Sequence, residues 1–232
     1  YGYGEGSEGA KVNKEAVALE ATRGVPFKAA IKSPAFIICV LFLCCVQITV
    51  CMNQLFPTFA TEVGFGAMIG GLMVSSASMF DIFLNLGLGT LVDKIGVYKA
   101  IVFSSLLCIC SFLMLIFSPG IPWLAILGAG INDIMYVVAG VGITTLLMTV
   151  FGSRDYGRIY SMVCGIAYIV GSFDMPVMTS IYGATGTFTA VFGFCILMDV
   201  CIIAMVLLAK VASKKVQWVE GEDAKPIDHA QA

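Results

Sequence analysis

Apolar residues fall along the chain in six long runs, roughly 35–58, 67–91, 100–118, 121–148, 157–181 and 187–209. Each is close to or longer than the ~20 mostly apolar residues a helix needs to cross a bilayer. The joints between them carry turn-forming residues: Thr61-Glu62-Val63-Gly64, Asp93-Lys94-Ile95-Gly96, Ser118-Pro119-Gly120, Gly152-Ser153-Arg154-Asp155 and Gly183-Ala184-Thr185-Gly186. The pattern predicts an all-α integral membrane protein, with a six-helix transmembrane domain over 34–210. A polar loop or linker at 1–33 precedes it and a polar tail at 211–232 follows. The fourth run is long enough to tilt or to extend past the membrane. The chain starts at Tyr1, and its Gly-, Glu- and Lys-containing first 33 residues form neither a signal peptide nor a span. They read as an internal loop of something longer.

Composition agrees: 59% of the 232 residues are apolar and only 12% charged, against roughly 45–50% and about 25% in soluble domains. A chain so short of charge cannot cover its own surface against water, so lipid is its solvent. The net charge of −2 and the lack of a basic patch give no sign of a nucleic-acid partner. All nine cysteines lie inside apolar runs, and the only histidine, His229, lies in the tail. The cysteines therefore read as small apolar packing residues rather than metal ligands or a disulfide framework, and no cofactor or metal is expected.

The cations set the orientation. Lys11, Lys14, Arg23, Lys28 and Lys32 precede helix 1, and Lys94 and Lys99 lie between helices 2 and 3. Arg154 and Arg158 lie between helices 4 and 5, and Lys210, Lys214, Lys215 and Lys225 follow the sixth run. These are all 13 lysines and arginines, and the other three joints hold one charge, Glu62. Six crossings place both termini and both cation-bearing loops on the cytoplasmic side, as the positive-inside rule requires. A plasma (inner) membrane location is expected.

An offset of 90 residues lays Gly96 on Gly186, and carries run 1 onto run 4, run 2 onto run 5 and run 3 onto run 6. Because three is odd, the two triplets lie in opposite orientations: an inverted repeat.

The segment Gly89-Thr90-Leu91-Val92-Asp93-Lys94-Ile95-Gly96-Val97-Tyr98-Lys99 resembles the major facilitator signature G-x-L-x-D-(R/K)-x-G-x-(R/K)-(R/K). Gly89 lets a neighbouring helix approach closely, Asp93 caps or pairs at the rim, Gly96 permits a tight turn, and Lys94 and Lys99 hold the loop among headgroups. Inverted three-plus-three repeats also build each half of a major facilitator transporter. Residues 27–36, 151–160 and 181–188 resemble the oxalate/formate antiporter and monocarboxylate porter branch at three places. These are the entry to its seventh helix and its tenth-to-eleventh and eleventh-to-twelfth junctions. The resemblance, which covers most of 27–210, implies the C-terminal half of a twelve-helix transporter.

Four aspartates fall inside predicted spans, Asp81, Asp133, Asp174 and Asp199, and no lysine or arginine does. An ionised Asp at mid-membrane costs about 2.5–3.5 kcal/mol on insertion scales and usually faces a cavity or a partner. A carboxylate that exchanges its proton as the site opens to either side would couple transport to protons. Ser78, Asp81 and Asn85 form a polar stripe at helical spacing. In the resembled branch two arginine positions map to Asn85, so the cation expected for anion binding is missing from this chain. The missing half would then supply it, or the solute is neutral, zwitterionic or cationic. Pro176 cannot donate to the Ser172 carbonyl, which predicts a kink beside Asp174. Asp133 lies in a helix rich in glycine (Gly128, Gly130, Gly140, Gly142), where close packing is an equally good reading. Asp199 falls on the helix matching the peripheral twelfth, where a structural or oligomer role is expected. Gln47 and Gln54 share a face of helix 1 and are placed to bond solute or a neighbouring helix. Asp93, Arg154 and Arg158 form either a cytoplasmic gate or only topology markers; the resemblance implies the gate.

The leading function is a secondary active transporter of a small organic solute, a carboxylate on the branch resemblance, working by alternating access with proton coupling or exchange. Its partners are the solute, the bilayer, and either an N-terminal six-helix half or a second copy. An intramembrane aspartyl protease also needs two membrane carboxylates. Its Tyr-Asp and Gly-x-Gly-Asp helices are matched poorly by Phe80-Asp81 and by Gly128-Ala129-Gly130-Ile131-Asn132-Asp133, which is two residues too long. The chain carries no nucleotide-binding G-x-x-x-x-G-K-[ST] loop. The coding sequence upstream of Tyr1 is expected to encode six further spans; a start codon just upstream would favour a dimer of six-helix units.

Overall fold

The computed structural model describes residues 23–220 and 225–227. Lys11, Lys14, His229 and most of the expected 1–33 linker lie outside the described residues. Six helices are long and apolar enough to cross a membrane: Pro34–Gln54, Gly66–Ile95, Val97–Ile116, Pro122–Phe151, Tyr156–Thr185 and Phe188–Ser213, hereafter spans 1 to 6. Most run a few residues past the apolar runs, because polar turn residues continue a helix until a cap or a breaker stops it. Ser33 starts span 1, its hydroxyl accepting from the Phe36 N–H at 3.3 Å, with Pro34 in the first turn. Span 2 continues through Asp93 and Lys94 to Gly96, and span 5 ends at Gly186. These are the two glycines that the 90-residue offset superimposes. Both turn the chain with positive φ, +85° and +68°, where a side chain would be strained.

The packing has the symmetry of the repeat. Span 1 packs on spans 5 and 6, span 4 packs on spans 2 and 3, and spans 3 and 6 pack on each other. Exchanging 1 with 4, 2 with 5 and 3 with 6 returns the same arrangement, so the fold is two inverted three-helix repeats. Spans 1 and 4 are central. Serines stitch the crossings: Ser76 donates to the Ile126 carbonyl at 2.7 Å and Ser111 to the Gly128 carbonyl at 3.1 Å. Phe42, Phe112, Phe151 and Phe192 fill the interior. All nine cysteines are free, with Cys39, Cys108 and Cys195 fully buried in the core.

Three spans are interrupted. Span 1 tightens into a 3-10 turn at Cys51–Gln54, and a separate short helix, Phe56–Glu62, follows. Span 4 breaks at Asp133 and passes through a π-helical stretch at Val138–Gly142. Span 5 breaks at Ser172 and Phe173, next to the predicted Pro176 kink. Spans 2, 3 and 6 are continuous.

Charge is sorted between the two ends. At the cation-bearing end the segments before span 1, after span 4 and after span 6 are joined through their backbones. Val25 N–H donates to Phe151 O at 2.8 Å, and Gly24 and Val219 exchange two bonds of 3.0 Å. The Trp218 indole N–H donates to Val150 O at 3.2 Å, and the Phe27 N–H to Asp155 Oδ2 at 2.8 Å. The segment expected only as a polar tail thus contributes a buried tryptophan and a short antiparallel pair, β1 (Trp218–Glu220) and β2 (Lys225–Ile227). At the opposite end the Tyr182 hydroxyl donates to Glu62, and Phe59 meets Phe188 and Phe192 edge-on at 5.4 and 5.1 Å.

Gly152 sits at the centre of the three-segment junction with φ +74°, and a Cβ there would meet Gly24 Cα at 2.7 Å and Arg23 O at 2.8 Å. Gly152→Ala is therefore expected to destabilise the fold by about 1–3 kcal/mol, read as a lower unfolding temperature in detergent. An unchanged midpoint would mean the junction does not contribute to stability.

Candidate functional site: two acid-lined cavities

The interrupted helices bring polar side chains together in two places. The first cavity, about 400 Å³, lies between spans 1 and 5. Gln47, Cys51 and Gln54 line it from span 1; Tyr168, Gly171, Ser172, Asp174 and Met175 line it from span 5. Gln47 and Gln54, placed on one face by their spacing, thus meet Asp174 here. Asp174 opens the second half of the broken helix and is 6% exposed. Its carboxyl lies over Gly171, where a Cβ would come within 3.1 Å of Oδ2. Pro176 leaves the Ser172 carbonyl without its helical donor, and the chain tightens instead, with Phe173 N–H donating to Val170 O at 3.0 Å.

The second cavity, about 270 Å³, lies among spans 1, 2 and 4 and is lined by Asn53, Ser78, Asp81, Asp133 and Tyr136. Asp81 from span 2 and Asp133 from span 4 share this cavity. Asp133 is 5% exposed and accepts from Asn53 Nδ2 at 2.5 Å. Asn85 reaches back one turn and donates to both the Asp81 carbonyl (2.9 Å) and Oδ1 (2.8 Å). The stripe Ser78, Asp81, Asn85 is therefore divided: Ser78 and Asp81 face the cavity, and Asn85 orients Asp81. The close-packing reading holds for Gly128 and Gly130, where a Cβ would meet Leu115 Cγ at 3.2 Å and Phe80 Cδ2 at 2.8 Å, but not for Gly140, where it would meet nothing within 4 Å.

Asn53, Tyr136 and Tyr168 were not singled out in the sequence. Helical spacing already sets Asn53 off the Gln47–Gln54 face, and the crossing of spans 1 and 4 brings it to Asp133. Asp199 is fully buried, with its carboxyl against the Cys108 thiol of span 3. This agrees with a structural role and leaves it inaccessible to a second copy. The residues expected to form a gate lie at the two joints of the cation-bearing end. Asp93, Lys94, Gly96, Lys99 and Arg158 are exposed and Arg154 is half-buried. Asp93 and Arg158 form no ion pair among the described residues. The close helix approach expected at Gly89 is not made by this chain either, since a Cβ there meets nothing within 4 Å.

Spans 2 and 5 differ from the rest in one further respect. They are the least covered by their neighbours, 17% and 28% buried, yet their mean hydropathies of 1.6 and 1.4 are the lowest of the six. A helix facing only lipid is apolar around its exposed surface. Polar residues such as Ser78, Thr90, Ser172, Thr179 and Ser180 are exposed on these two spans instead.

The comparisons with known proteins agree with this architecture. The family model described as Major Facilitator Superfamily matches residues 5–173, from before span 1 to the break in span 5. No curated protein matches the chain.

Asn53→Ala removes the donor that Asp133 accepts from. Exposing a buried carboxyl to no partner costs about 1–3 kcal/mol, so a lower unfolding temperature is expected, with Asn53→Asp, which adds a third acid, worse than Asn53→Ala. Equal stability of all three proteins would show that the Asn53–Asp133 bond does not hold the cavity.

Proposed function

Because the chain belongs to the major facilitator superfamily, we propose that it acts as a proton-coupled secondary active transporter of a small organic solute. Membership makes it a multi-pass membrane transporter; the coupling and the solute are this reading's own. The observation that carries it is the placing of Asp81 and Asp133 in one cavity at the break in span 4. Two acids in one cavity, with no cation on its wall, form a site suited to taking up a proton. Asn53 and Asn85 hold the two groups in place, one on each. A pair that loads and releases a proton as the helices around it move is a coupling device suited to alternating access. Breaks in spans 1, 4 and 5 supply the hinges.

The chain acts as the C-terminal half in this reading, with the six-helix domain at 34–210 and both flanks, 1–33 and 211–232, on the cytoplasmic side of the plasma (inner) membrane. The sparse cover and low hydropathy of spans 2 and 5 support it, since those faces suit a water-filled pathway and a second six-helix unit better than lipid. Gly89, open on its free side, suits a helix of that unit. Asp93, Lys94, Gly96, Lys99, Arg154 and Arg158 then form the cytoplasmic gate, and Asp81, Asp133, Asp174, Asn85, Gln47 and Gln54 the coupling and solute groups. The likeness to the oxalate/formate and monocarboxylate branch supports a small organic solute.

In proteoliposomes of the full-length protein, Asp81→Asn is expected to reduce pH-gradient-driven uptake to the level of empty liposomes while expression is unchanged. Full uptake by that variant would sink the coupling assignment.

A further inference from the structure

We propose that the cavity between spans 1 and 5 binds the positively charged group of a small organic cation, with Asp174 as its counter-ion. The inference rests on the transporter reading and assigns its substrate class.

The geometry separates the two acid cavities. In the cavity of spans 1, 2 and 4, Asp81 and Asp133 share the space and each is bonded by an asparagine. In the cavity of spans 1 and 5, Asp174 stands alone: it is 94% buried, lines the open volume, and accepts no hydrogen bond from any described residue. Buried polar groups in native proteins are nearly always bonded; among the described residues the fully enclosed carboxyl without a bonded partner is that of Asp199, whereas the Asp174 carboxyl opens on the cavity. A carboxylate taken out of water without donors is costly. It is stabilised by a cation brought to it, and it repels an anion in the same space. Nothing on the lining offsets that preference, because neither cavity is lined by a lysine or arginine. The remaining lining groups fit an amine or ammonium head. Gln47 and Gln54 offer amide oxygens, the Ser172 carbonyl lacks its helical donor, and the Tyr168 ring gives a face for cation–π contact. The volume of about 400 Å³ is of the size that holds small ligands. Gly171 keeps the carboxyl in position, since a Cβ there would come within 3.1 Å of Asp174 Oδ2.

The test compares near-isosteric probes that differ in charge: tetramethylammonium, tert-butanol and pivalate, each radiolabelled, in equilibrium dialysis against the full-length protein. Tetramethylammonium is expected to bind at least about tenfold more tightly than either of the others, as one desolvated charge pair warrants. Asp174→Asn should remove that preference and Asp174→Glu should largely restore it. Gly171→Ala, which keeps the charge and displaces it, should weaken the cation several-fold, and guards against a misfolded Asp174→Asn protein. Preferential binding of pivalate, or tetramethylammonium binding indifferent to both Asp174→Asn and Gly171→Ala, would overturn the assignment. Asp81-dependent, pH-driven uptake of an anion in the same preparation would leave the transporter reading standing while the cation site falls. Cation binding without any gradient-driven uptake would do the reverse.

Discussion

The structure depends on one demand of the bilayer: every backbone N–H and C=O at membrane depth needs a partner within the protein. A continuous helix meets it for spans 2, 3 and 6. A break meets it only where other helices or a polar cavity surround the released groups, and the three breaks obey that rule. Each break has residues on a cavity wall: Cys51, Asn53 and Gln54 in span 1, Asp133 in span 4, and Ser172 in span 5. The sites of irregular backbone and the sites of carboxylates coincide because both are tolerated only away from lipid.

The inverted repeat places these breaks. Each repeat contributes its first helix to the centre and sets its second helix against the first helix of the other repeat. Each such contact encloses one cavity, holding Asp174 in one case and Asp81 in the other. The cavities are therefore counterparts in the pseudo-symmetry while differing in chemistry. One presents a pair of acids each held by an amide, the other a lone acid over a glycine. In the proposed reading, that asymmetry between related pockets assigns a proton to one and a solute to the other.

The fold is tied at both ends. At the cation-bearing end, three segments are joined through Gly24, Gly152 and Trp218 with little spare room, which ties the ends of spans 4 and 6 to the start of span 1. At the other end the Tyr182–Glu62 bond and the Phe59, Phe188 and Phe192 cluster tie span 5 and span 6 to the helix after span 1. Between these two ties lie the interrupted stretches, where a change of backbone angle is cheapest.

The amino-acid sequence by itself determined the number of spans, their ends to within a few residues, the sorting of cations to one end, and the repeat with its matching Gly96 and Gly186. These are demands that lipid makes on each segment separately, so they are written locally as apolar length, breakers and charge. Periodicity also brought Gln47 and Gln54 to one face and marked Asp81, Asp133 and Asp174 as groups in need of company. Only the tertiary structure decided the company. Asn53 reaches Asp133 because spans 1 and 4 cross there, Asn85 turns back on Asp81, and Asp199 is sealed against Cys108 rather than facing a partner molecule. The polar tail was legible as a tail, but not as the carrier of a buried Trp218, since that contact joins segments about 70 residues apart. Pairings of this kind follow from how helices rotate and cross, and one chain's spacing does not contain those angles.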